Sequence, residues 1–162
     1  MIRHIWSVLC EKAVIDKDTN MISLVNVVEE VQAEAVAVPL PGTTMPEGRA
    51  SPERLPALPI ELEIGSFWVR SDEDKEERSA ARLHLFPPDG DGQVLGRAFD
   101  VDLTQHKRLR TRVRMHGLPV QESGQYEVAV EFQEGPDNWI EVARLPLAVT
   151  IHVEVAAQHE GT

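Results

Sequence analysis

The chain contains a single cysteine, Cys10, among 162 residues. One thiol makes no intramolecular disulfide, so the fold must be held by packing. Zinc knuckles are disfavoured too, because they need paired thiolates or histidines at short spacing. The six histidines, His4, His84, His106, His116, His152 and His159, have no such spacing. Long hydrophobic runs are also missing. None approaches the roughly 18–20 residues of a membrane-spanning helix. The first apolar run is broken by Glu11 and Lys12 before any small-residue cleavage site. A cytoplasmic protein with no membrane insertion is therefore expected. Positive charge is scarce, with 16 Lys and Arg against 27 Asp and Glu, a formal net charge of −11. That balance disfavours nucleic acid, whose phosphates need neutralising cations.

Catalytic signatures are equally sparse. There is no Gly-x-Ser-x-Gly elbow and no glycine-rich phosphate loop. Asp16, Asp18 and Asn20 begin a calcium-loop pattern, but Met21 and Val27 stand where Gly and Glu are required. The acidic groups of Asp72, Glu73 and Asp74, and of Asp89 and Asp91, read as solvated loops. No catalytic residue, cofactor or metal is expected, and Cys10 reads as a small buried hydrophobe.

What the chain does have is alternation. Period-two patterning puts successive side chains on opposite faces of a strand. Ile60, Leu62 and Ile64 alternate with Glu61 and Glu63; Ala81, Leu83 and Leu85 with Arg82 and His84; Phe99, Val101 and Leu103 with Asp100 and Asp102. The same holds for Leu109–Met115, Tyr126–Phe132 and Leu147–Val153. Ile5–Ile15 and Met21–Val31 alternate less cleanly and read as a hairpin closed at 16–20, with a bulge near Cys10 or burial on both faces. No segment has a convincing helical period. The expectation is one all-β domain over residues 1–155, a two-sheet antiparallel β-sandwich of about eight strands, immunoglobulin-like or a related Greek key. Six prolines between Val36 and Pro59 exclude a central strand there. That loop reads as a crossover between sheets or as a partner-binding segment. Residues 156–162 read as a flexible tail.

Two features carry candidate sites. Arg108, Arg110, Arg112, Arg114 and His116 occupy every second position, so they share one face of one strand. They are either a charge ladder facing acidic rows on neighbouring strands, or a site for an anion or acidic partner. Phe67 and Trp68 are adjacent, so one leaves the core face unless a bulge near Gly65 intervenes. An exposed Trp68 or Phe86 is the candidate aromatic contact for a partner or a second copy. A third feature concerns fold: Glu122-Ser123-Gly124-Gln125-Tyr126 has the pattern of a tyrosine corner, with Gly124 and Tyr126 as its structural residues.

Several elements in order resemble a family of short bacterial proteins known only as a domain of unknown function. They are Val8-Leu9-Cys10, Val14-Ile15-Asp16, Thr19-Asn20, Ser23–Asn26, Val27–Glu30, Pro88-Asp89-Gly90, Gly117-Leu118-Pro119, Ser123–Tyr126 and Leu145-Pro146-Leu147. The resemblance implies a β-sandwich and supplies no activity. The function expected is a non-catalytic protein-binding or assembly module, with self-association as one form of it. The alternatives are an anion-binding sandwich using residues 107–116 and an enzyme of undetermined class.

Overall fold

A computed structural model describes residues 1–37, 58–71 and 77–155. These form nine strands and no helix: β1 (Ile2–Ile15), β2 (Ile22–Val27), β3 (Glu30–Ala37), β4 (Leu58–Arg70), β5 (Arg78–Phe86), β6 (Gln93–Asp102), β7 (Arg108–Leu118), β8 (Gly124–Gly135) and β9 (Asn138–Val155). They build a four-stranded sheet of order β2-β1-β4-β7 and a five-stranded sheet of order β3-β9-β8-β5-β6, the latter curled into a half-barrel. No helix among the described residues is long and apolar enough to cross a membrane.

The alternating apolar residues of the two sheets meet in one buried cluster. Leu9, Leu62, Ile64, Trp68 and Met115 from the four-stranded sheet join Leu83, Leu85, Val101, Val128, Val130 and Leu147 from the five-stranded one. Their polar neighbours in sequence turn outward, which is the half-buried pattern period two encodes. The turn at Pro87–Gly92 closes β5 onto β6, and Gly135–Asn138 closes β8 onto β9.

Four expectations need correction. Met21–Val31 is not one strand. Asn26 adopts a left-handed backbone (φ 51°) and the chain leaves the first sheet there, so β2 and β3 belong to different sheets. The sheets are not wholly antiparallel, because β3 runs parallel to β9 from Glu30↔Ala148 to Ala37↔Val155. The bulge lies at Ile5, between His4↔Trp68 and Trp6↔Phe67, rather than near Cys10 or Gly65. Val36 and Ala37 belong to β3, and Leu58 and Pro59 to β4. The remainder of the proline-rich stretch, Asp72–Asp74 and residues 156–162 lie outside the described residues.

At the start of β8, the Tyr126 hydroxyl donates to the Glu122 carbonyl at 3.0 Å, and the Gln121 and Glu122 amides point at the hydroxyl oxygen. Tyr126 is 2% exposed, so its ring packs in the core while its hydroxyl pins the incoming turn. A side chain at Gly124 would collide with the Pro88 ring of the neighbouring turn. Tyr126→Phe should therefore cost about 1–1.5 kcal/mol, the net worth of one such bond plus the polar groups it leaves unpaired. Urea unfolding should show a lower midpoint with an unchanged m-value.

Candidate functional site

The arginine strand is β7, and its neighbour is β4. Glu63 pairs in register with Arg114, Gly65 with Arg112, and Phe67 with Arg110. Since Leu62 and Ile64 face the core, Glu63, Gly65 and Phe67 face outward. An outward carboxylate ought to be wet, yet the Glu63 side chain is only 3% exposed. The end of the β1–β2 hairpin covers it. A Cβ placed on Gly65 would lie 2.9 Å from Leu24 Cδ2 and 3.1 Å from Ile22 Cδ1, so the side chains of β2 pack directly on the bare backbone here. At the turn, the Asn20 side-chain amide reaches the Arg108 carbonyl in β7 at 3.5 Å.

Under that cover both Glu63 oxygens are engaged. One oxygen accepts the Ala13 amide at 2.6 Å and the other accepts Arg114 Nε at 2.7 Å. Arg112 crosses the glycine gap and donates to the Ala13 carbonyl at 3.0 Å. Burial pushes the Glu63 carboxyl up. The Ala13 amide, the Arg114 hydrogen bond and the charges of Arg114 and Arg112 outweigh it and hold the group below its usual range. The buried Cys10 thiol, against the Glu63 carbonyl at 3.5 Å, is pushed up by burial and by the Glu63 charge, which makes it a poor nucleophile.

The five predicted basic residues thus have unlike fates. Arg112 and Arg114 hold the hairpin. Arg110 lies over the Phe67 ring, 4.7 Å from its centroid, beside Trp6. His116 faces the exposed Glu61 at 3.4 Å. Arg108 is exposed. Of the acidic rows among the described residues, only that of β4 meets this strand, through Arg114–Glu63 and His116–Glu61. Asp100 and Asp102 pair with Arg78, while Glu131 and Glu127 pair with Arg82 and Arg144 on the other sheet.

The aromatic candidates also separate. Trp68 is fully buried, stacks near Phe132 and donates to Thr111 Oγ1 at 3.0 Å. It is no surface contact, because alternation turns Phe67 outward and Trp68 into the core. Phe86 is partly buried, with Arg144 4.4 Å above its ring and His84 at its edge. His84, His116 and His152 lie on three separate strands, and His84 is committed to Glu131 at 3.0 Å. Among the described residues no cluster of three or more His, Cys, Asp or Glu is placed to hold a metal.

Beside Trp68 a polar chain enters the core. Ser7 Oγ lies 2.7 Å from His4 Nε2 and 2.7 Å from Ser66 Oγ. His4 also borders an open cleft of about 830 Å³ between β1, β5, β8 and β9, with Glu77, Arg78, Phe132 and Ile140. Ser7 itself is 9% exposed and lies between the two partners, an arrangement suited to satisfying buried polar groups.

Sequence reasoning missed two places. Glu63 looks the same as Glu61 in the string Leu-Pro-Ile-Glu-Leu-Glu-Ile, yet Glu61 is 69% exposed. The β2 edge was also passed over. Met21, Val25 and Val27 there are 65%, 44% and 61% exposed. Its signal is legible, since Met21–Val28 carries no charged residue. The chain is thus an all-β protein of two sheets whose polar clusters are mostly satisfied internally. No family model matches it, and no curated protein does.

Two outcomes follow. Glu63→Gln removes the charge-assisted bonds to Arg114 and Ala13 and should cost about 1.5–3 kcal/mol in denaturant unfolding. The second concerns pH. Burial lowers the His4 pKa from its ordinary 6.5, opposed by a hydrogen bond to the Trp6 backbone. Below pH 6.5 the unfolded chain takes up this proton and the folded one resists. Stability is therefore full above that pH and falls as pH drops toward the depressed folded value. His4→Gln should flatten this limb of the stability profile, and a limb of unchanged slope in the variant contradicts the assignment.

Proposed function

We propose that this protein is a non-catalytic binding or assembly module of immunoglobulin-like sandwich architecture, and that its contact surface is the free edge of β2. The architecture is supported by the order β3-β9-β8-β5-β6, with one parallel pair at its edge, and by the tyrosine bond at the start of β8. One observation carries the function. Arg112 and Arg114, at the centre of the basic row, are engaged in holding the hairpin, whereas β2 presents exposed apolar side chains on a strand edge that is unpaired among the described residues. Strand edges recruit extended partners through main-chain hydrogen bonds, with side chains setting selectivity. An anion-binding role for β7 is correspondingly weakened, because Arg112 and Arg114 already donate to protein oxygens.

A photo-crosslinking residue introduced at Val25 tests this in the native host. It should yield a discrete protein adduct, and the same residue at Asp137, in the exposed β8–β9 turn, should not. No adduct from Val25, or equal adducts from both positions, contradicts the proposal.

A further inference from the structure

Among the described residues the two sheets have four edges, β2, β7, β3 and β6. Three carry charge. β7 has Arg108, Arg110, Arg112 and Arg114; β3 has Glu30 and Glu34; β6 has Arg97, Asp100 and Asp102. Charged edges resist strand addition, and like charges brought directly opposite repel. The β2 edge has no such protection, since Met21–Val28 is Met-Ile-Ser-Leu-Val-Asn-Val-Val. In a chain of net charge −11, a neutral edge is a place where a second copy can approach without opposing like charges strand to strand.

The phase of the β1–β2 ladder gives the register. The Asp16 amide donates to the Met21 carbonyl, and Val14 lies opposite Ser23. In an antiparallel ladder the bonded pairs alternate, so Met21 and Ser23 point their backbone groups at β1. Ile22 and Leu24 then point theirs away from the sheet. Two copies related by a two-fold axis through Ser23 satisfy these groups mutually. Ile22 of one copy meets Leu24 of the other, Ser23 meets Ser23, and Met21 meets Val25. Every cross-strand pair is uncharged, and the exposed Met21 and Val25 side chains cover each other.

The geometry points to a homodimer in which the β2 edges of two copies pair antiparallel about Ser23, joining their four-stranded sheets end to end. This rests on the β2-edge function proposed above and adds the identity of the partner strand. A two-fold contact of this kind is self-complementary and closes, so it stops at the dimer.

Ser23→Cys tests the register directly. Directly opposed residues of an antiparallel pair have Cα atoms about 4.5–5.5 Å apart, within disulfide reach. The native Cys10 is fully buried and does not compete. Under mild oxidation Ser23→Cys should form a covalent dimer on a non-reducing gel, while wild type and Asp137→Cys should not. Light scattering should show wild type dissociating on dilution. Ser23→Lys sets two like charges opposite each other at an exposed position and should be monomeric with unchanged circular dichroism. A wild type that is monomeric at every concentration, or a dimer indifferent to Ser23→Lys, overturns the inference. If the Val25 photoprobe captures a different protein while Ser23→Cys stays monomeric, the partner identity is overturned and the β2-edge reading stands. If both experiments are blank, both fall.

Discussion

A buried carboxylate on the wrong side of a sheet organises this protein. Glu63 belongs to the outward face of β4, where a carboxylate is normally solvated, yet it is 3% exposed. Taking such a charge from water costs several kcal/mol, which pairing and hydrogen bonds to both carboxylate oxygens offset. Here the engagement comes from two directions: Arg114 from β7 and the Ala13 amide from β1. The same Ala13 presents its carbonyl to Arg112. One peptide segment of the front hairpin is therefore held from both its donor and acceptor sides. The hairpin lies over Gly65, where Leu24 and Ile22 pack against the bare backbone.

This arrangement accounts for two of the arginines in the basic strand: Arg114 neutralises a buried acid and Arg112 pins the hairpin. The five-stranded sheet repeats the device more loosely. Glu131 is 15% exposed and lies between Arg82 at 2.6 Å and His84 at 3.0 Å, with Arg82 over the Trp139 ring at 4.3 Å. Burial pushes the Glu131 carboxyl up, and its hydrogen bonds with Arg82 and His84 and their charges bring it below its usual range. In both sheets a carboxylate is paired with an arginine from the adjacent strand, Arg114 for Glu63 and Arg82 for Glu131, which restricts register as well as adding stability. The hairpin so fixed leaves β2 as an outer strand, with Ile22 and Leu24 packed toward Gly65 and Val25 and Val27 toward solvent. The proposed contact thus depends on Glu63, although no residue of the cluster touches it.

Strands were legible wherever one face is buried and the other wet. From Ile60 onward the period of two marks β4, β5, β7 and β8, and the proline and glycine turns mark the hairpins. Legibility fails at the front. In β1, Ser7, Leu9, Cys10 and Ala13 are all buried, so alternation is blurred by burial on both faces. The β2–β3 break rests on a single left-handed asparagine inside a continuous apolar run, with no proline or glycine to announce it. The arginine row was visible as a row, but which acids it meets depends on β4 and β7 becoming neighbours across some fifty residues, as the Glu63–Arg114 separation of 51 illustrates. Trp68 and Phe67 needed the same information, because local sequence does not say which of two adjacent aromatics faces the core.

The central claim is that Glu63 holds the front hairpin against the sheet, and amide hydrogen exchange at Ala13 tests it most directly. That amide donates to a buried carboxylate rather than to the β1–β4 ladder, so its protection reports the Glu63 contact itself. In wild type it should exchange as slowly as its neighbours in β1. In Glu63→Gln its protection, with that of β2, should drop while the amides of β8 fall only by the global loss of stability. A fast Ala13 amide in wild type, or a uniform decrease across β2 and β8 in the variant, would contradict the account.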